Sequence, residues 1–282
     1  MVLPPLPDDV AMNPGVNHGG LLIIKLRPEN DEELPFVVDT GTAVTLFDKS
    51  WEPKLGKSLG TIRLEDADRR REKSKTYAAP KLYLGDRLLA SGDRVGICDN
   101  GGIGILGMDC LRHYCIQLDF AAGKMRFLDP EHLQTLELGR ALPLKLGNPG
   151  VPVLQRSGFG DEKNLDVVPD TGCNLLDGLL EQKLLQREIR VQNAKAVPVV
   201  WIDGDLNRQR NPIGCARFPD VVWKGENYTN LLIGTGVNAI GMGFWARHEK
   251  VTFNFPKRMM YLGQLPNTNW TDIFLHENNQ RN

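Results

Sequence analysis

The sequence predicts a mostly β protein built as two similar lobes related by a pseudo-two-fold axis, and three observations carry that prediction. First, Asp-Thr-Gly occurs twice, as Asp39-Thr40-Gly41 and Asp170-Thr171-Gly172, each close behind a valine pair, Val37-Val38 and Val167-Val168. A given tripeptide is expected about 0.05 times in a chain of this length at ordinary residue usage, so two copies ask for a cause. Second, Ile105-Leu106-Gly107-Met108 is matched further on by Ala239-Ile240-Gly241-Met242. Third, 29 glycines and 18 prolines stand among short apolar runs such as Leu21-Leu22-Ile23-Ile24, which suggests many turns joining short strands rather than long helices.

The elements follow in order. An apolar run from Gly20 to Leu26, a polar turn through Pro28-Glu29-Asn30-Asp31 and a second run from Leu34 predict a hairpin that delivers Asp39 at a strand end. The charged stretch between Glu65 and Lys75 reads as an exposed hairpin or loop. Lys81 to Leu84 and the turn Gly85-Asp86 lead to the glycine-rich point at Gly104 to Met108. Cys110 to Tyr114 suits one or two helical turns, and Ile116 to Phe120 alternates as a strand should. Met125 to Leu128 closes the unit.

The second half replays this order. Val151 to Leu154, a turn at Gly160 to Lys163 and Val167-Val168 lead into Asp170, while Val251 to Phe255 matches Ile116 to Phe120 and Met260-Tyr261-Leu262 matches Arg126-Phe127-Leu128. A unit this long, present only twice, is no solenoid repeat. The expected lobes are residues 1–140 and 141–282, with the linker between Asp129 and Pro152 and a polar tail beyond Gly263.

Composition narrows the function classes. With 34 basic and 35 acidic residues, no strong field draws the chain to nucleic acid or an anionic membrane. Arg69-Arg70-Arg71 is flanked by Asp66, Asp68 and Glu72 and reads as a solvated surface. No run approaches the roughly 20 apolar residues of a membrane helix, and the start, Met1 to Val10, lacks the basic-then-apolar pattern of a signal peptide. A soluble chain is expected. Cys98, Cys110, Cys115, Cys173 and Cys215 are too few for a disulfide scaffold, though one bridge stays open. Short glycosylation patterns at Asn227 and Asn269 leave the compartment undecided.

A symmetric pair of lobes brings equivalent loops together at the axis, so Asp39 and Asp170 can meet there. Two carboxyls a few ångströms apart share a proton; one then acts as general base toward water while the other, protonated, donates to a carbonyl. No metal, cofactor or covalent intermediate is needed. Gly41 and Gly172 let the backbone turn tightly beside the carboxyls, and the hydroxyls of Thr40 and Thr171 can lock the two loops together.

With these motifs the chain resembles an aspartic protease of the pepsin and retropepsin type, over most of Gly20 to Leu262. The resemblance implies a bilobal acid-protease fold of β-barrel lobes and an endopeptidase that acts as a monomer on a peptide or protein substrate. It makes Asp39 and Asp170 the catalytic pair, Thr40 and Thr171 the inter-lobe grip, and Gly41, Thr42 and Gly172 supporting residues. It also implies a β-hairpin flap over the substrate, for which the charged segment before Tyr77 is the candidate, with Tyr77 itself as a substrate contact. The chain departs from the family's pattern in Cys173, where pepsin-like loops carry a hydroxyl, and in Pro169, which removes a backbone donor. These departures motivate a second reading, a non-catalytic peptide-binding module of the same fold.

Weaker signals compete. Gly102 to Gly107 fits G-x-G-x-x-G, but a dinucleotide site needs a full helix leading out. Cys110, His113 and Cys115 are close, yet no second ligand pair follows for zinc. Cys173 as a nucleophile lacks a histidine placed to activate it.

Overall fold

The computed structural model describes residues 9–29, 31–65, 69, 71–160, 162, 164–202 and 211–265. The first half contains strands β1 (Asp9–Ala11), β2 (Ile23–Pro28), β3 (Leu34–Val38), β4 (Leu46–Asp48), β5 (Gly60–Glu65) and β6 (Arg71–Ala78). It continues with β7 (Leu82–Leu84), β8 (Arg87–Leu88), β9 (Arg94–Cys98), β10 (Gly104–Leu106), helix α1 (Met108–Leu111), β11 (Cys115–Asp119) and β12 (Lys124–Leu128). The second half opens with β13 (Arg140–Pro143), β14 (Lys145–Leu146), β15 (Pro152–Val153), β16 (Val168–Pro169), β17 (Gly178–Leu180) and helix α2 (Gln182–Val191). It closes with β18 (Lys195–Ile202), β19 (Asn211–Trp223), β20 (Glu226–Thr235), β21 (Ala239–Ile240), helix α3 (Met242–Trp245), β22 (Lys250–Asn254) and β23 (Met259–Leu262).

Period-two patterning builds the hairpin that carries the first aspartate. Along β2, Ile24 and Leu26 are buried while Lys25 is exposed, and the antiparallel register with β3 pairs Ile24 with Phe36 and Leu26 with Leu34. Ile24, Leu26, Phe36 and Val38 join one core, each large side chain contributing about 1.5 to 3 kcal/mol by leaving water. Phe36 meets Phe47 edge-to-face at 5.2 Å, tying β3 to β4.

The two halves share an order of six strands, to which the first adds β2, β7 and β8 at its β3 edge. In the first sheet six strands run β5-β6-β9-β4-β10-β3; in the second the order is β18-β19-β20-β17-β21-β16. The parallel pairs fall at matching places, β4 with β9 and β10 with β3 against β17 with β20 and β21 with β16. One cross-sheet row reads Val37, Ile105, Leu46, Gly96, Thr76, and its counterpart reads Val168, Ala239, Leu179, Gly234, Cys215. A third sheet, β1-β12-β11-β22-β23-β13, joins the halves through β11 and β22.

Several expectations need correction. The segment read as linker contains β13, which pairs with β23 as β1 pairs with β12. Helix α2 was not expected; Leu184, Leu185 and Ile189 show its apolar face, but Glu188 interrupts the pattern. That carboxylate is fully buried and accepts from Arg187 and Gln192. The short helix starts at Met108 rather than Cys110. The sheets are open among the described residues, not closed barrels. All five cysteines are buried and none is in a disulfide. The tail beyond residue 265, Asn269 and most of the tip between β5 and β6 lie outside the described residues.

Candidate active site

Asp39 and Asp170 each leave a strand held by a parallel neighbour. The Asp39 N–H donates to Leu106 O at 3.0 Å and the Asp170 N–H to Ile240 O at 2.8 Å, so both chains enter their turns in the same way. Each loop is then pinned from below: Met108 N donates to Thr42 O and Met242 N to Cys173 O, both at 2.8 Å. A Cβ on Gly107 would lie 2.7 Å from the Val44 backbone, and one on Gly241 2.6 Å from Cys173 O. That close approach is why glycine follows both apolar pairs.

The loops cross-brace. Thr40 N donates to Thr171 Oγ1 at 3.1 Å and Thr171 N to Thr40 Oγ1 at 3.0 Å. Each hydroxyl then donates onward across the axis, Thr40 to Pro169 O at 2.5 Å and Thr171 to Val38 O at 2.6 Å. Both threonines are 1% exposed, so these four bonds are shielded from competing water. Pro169 fits this use: its counterpart Val38 sends its N–H to Leu22 O, a bond proline forgoes, while its carbonyl serves the brace.

The carboxyls meet between the braced loops, each resting against the glycine of the opposite loop, and each bears on the other's proton affinity. Both are half-buried. Asp39 accepts Gly41 N at 2.7 Å and the Thr42 hydroxyl at 2.6 Å. Asp170 accepts Gly172 N at 2.8 Å and Cys173 N at 3.2 Å. Burial raises the pKa of Asp39, against the lowering effect of the Thr42 and Gly41 bonds. Burial and then the charge of Asp39 hold Asp170 well above the usual carboxylate range. Such a pair keeps one proton where single carboxyls have lost theirs, which equips it to take a proton from water and give one to an oxygen.

Other candidates fall elsewhere. Tyr77 lies in β6 opposite Val95, is 3% exposed, and its hydroxyl donates to Glu52 Oε1 at 2.6 Å rather than to either aspartate. The β5–β6 hairpin reaches the other half through an ion pair of Arg69 with Glu181, a contact that a separation of 112 positions hides from any local reading. Cys110 and Cys115 are buried, and no cluster of three metal-ligating side chains forms among the described residues. Burial, reinforced by Asp170 and Asp39, pushes the Cys173 thiol well up, away from the thiolate a nucleophile needs. Gly104 to Leu106 is followed by only the four-residue α1, not a dinucleotide-binding helix. An apolar cavity in the second half, walled by Phe159, Leu165, Trp223 and Phe244, touches neither aspartate.

No protein-family model and no curated protein sequence matches this chain. Its structure is similar to the crystal structure of an aspartic proteinase from Irpex lacteus, with a TM-score of 0.58 and 12% identity over 93% of this chain and 98% of that one. At that identity the likeness shows the fold alone, a bilobal pepsin-like fold.

Proposed function

We propose that this protein is an aspartic-type endopeptidase, acting as a monomer, in which Asp39 and Asp170 activate water for attack on a peptide bond. The observation that supports it is the pair of half-buried carboxyls that face each other on loops braced by Thr40 and Thr171. One carboxylate takes a proton from water as the oxygen bonds to the scissile carbon; the other, protonated, donates to the carbonyl oxygen. Collapse of the tetrahedral intermediate breaks the C–N bond: one carboxyl gives its proton to the leaving amine while a hydroxyl of the intermediate returns a proton to the other carboxylate as the new carbonyl forms. The pair thus ends with the single proton it began with.

The test is cleavage of a mixed peptide library between about pH 3 and 7, the range in which such a pair titrates, with and without a statine-type transition-state analogue. Inhibitable cleavage with a bell-shaped profile, lost in Asp39→Asn and in Asp170→Asn while both remain folded, is the expected result. Saturable peptide binding without cleavage at any pH would favour the peptide-binding module instead, the reading that the missing hydroxyl at Cys173 favours.

A further inference from the structure

The two halves match in the order of six sheet strands and in loop bracing, but they differ beside the carboxyls, at Pro169 against Val38 and at Cys173 against Thr42. Thr42 and Cys173 are counterparts, each three residues after its aspartate and each offering its carbonyl to the following helix start at 2.8 Å. Thr42 also sends its hydroxyl to Asp39 Oδ2 at 2.6 Å. Cys173 has no hydroxyl to send. Its thiol turns toward Gly241, where an added Cβ would lie 2.8 Å from Sγ, and packs in the cluster of Leu176, Leu179 and Ala239. Asp170 therefore receives backbone N–H groups only.

A hydrogen bond from a hydroxyl favours the ionised form of a carboxyl. Asp39 has that support and Asp170 lacks it. The other titratable groups do not reverse the difference: facing Asp170 are Asp39 across the axis and Cys173 on its own loop, with Asp177 and Cys215 behind Cys173. All are acids, so none favours a charge on Asp170.

We infer that Cys173 is a positioning residue that, by withholding a hydroxyl, leaves the shared proton on Asp170 and makes Asp39 the carboxylate. This rests on the proposed peptidase reading for its consequence: Asp39 is the general base and Asp170 the proton donor. The proton placement itself is independent of cleavage.

The experiment follows the side-chain carboxyl carbons of the full chain by carbon-13 NMR over pH, with Asp39→Asn and Asp170→Asn to assign the signals. Cys173→Thr and Cys173→Ser restore a hydroxyl on the side of Asp170 and should lower the upper titration step of the pair by about one pH unit, the size of one hydroxyl-to-carboxylate bond. Cys173→Ala, which adds no donor, should leave that step in place. Thr42→Ala should raise the lower step. If the wild type cleaves peptides, the alkaline limb of its activity should move with the upper step.

The inference is overturned if both Thr and Ser at 173 leave the upper step unmoved, or if Ala moves it as far as they do. A wild type that cleaves nothing yet titrates as described would remove the peptidase reading and leave this one standing.

Discussion

Gly41 and Asp170 face each other so closely that a Cβ on Gly41 would lie 2.6 Å from Asp170 Cγ, and a Cβ on Gly172 would lie 2.6 Å from Asp39 Cγ. Each glycine is therefore the wall against which the opposite carboxyl rests. The two triplets act as one interlocked unit, in which the glycine of one loop makes room for the aspartate of the other.

Gly41→Ala should force that carboxyl aside. The expected cost is about 1 to 3 kcal/mol of stability, as for other overpacked sites, with at least a hundred-fold loss of any peptide hydrolysis. Thermal melting and kcat/KM check it; an alanine variant with wild-type activity would show that the carboxyl positions are not critical.

Thr40→Val keeps the shape but removes a hydroxyl that accepts from Thr171 N and donates to Pro169 O. Two buried backbone groups lose their partner, so a destabilisation of about 2 to 4 kcal/mol is expected. Thr40→Ser should recover most of it. Urea midpoints for the two variants decide the matter, and equal midpoints would mean that the brace contributes nothing.

The carboxyl pair should make stability fall as pH rises. Burial raises both pKa values, so the folded state holds protons that the unfolded chain has released. Their contribution is complete below the unfolded value, about 3.9, and is lost as pH climbs through the folded values. Asp170→Asn stays neutral without having to hold a proton and should be more stable than the wild type at pH 7, with the gap closing toward pH 3. Chemical denaturation across that range would reveal an opposite trend.

Asp48 should behave the other way. Burial pushes its carboxyl up, but hydrogen bonds from Ser50, Gly102 and Asn100 outweigh it and bring the pKa to about 2. Its contribution is present above the unfolded value and is lost as pH falls toward 2. Because Asp48 caps the turn Lys49–Lys54 through Ser50 N, Asp48→Ala should cost about 1 kcal/mol at pH 7 and almost nothing near pH 2.

The thiols give a simple check on the core. All five cysteines are buried, and burial pushes Cys98 and Cys115 up to about 12. A disulfide reagent at pH 8 should find almost no reactive thiol in the folded protein and all five after unfolding. Rapid reaction of Cys173 would contradict its packing.

Much of this was legible in the chain, because side-chain period and backbone chemistry are local. The alternation through Ile24 and Leu26 announced the strand that precedes Asp39, and two Asp-Thr-Gly triplets with later apolar-apolar-glycine steps announced a duplication. Gly96 and Gly234 occupy the same place in the two sheets, but their neighbours differ too much for the match to show in sequence. Helix α2 stayed hidden because Glu188 sits on its buried face, supported by Arg187 and Gln192. Strand β13 stayed hidden because a strand defined by its partner β23 needs little pattern of its own.

By itself, the sequence determined the two lobes, the hairpin ending at Asp39 and the residues that could form a carboxyl pair. Only the tertiary structure decided that Thr40 and Thr171 hold each other, that Pro169 serves through its carbonyl, that Tyr77 is committed to Glu52 and that Thr42 and Cys173 treat their aspartates differently. The physical reason is range. Strand and turn preferences act over a few residues, whereas hydrogen bonds between groups 131 positions apart, and the burial that sets a carboxyl's proton affinity, exist only once both lobes have packed.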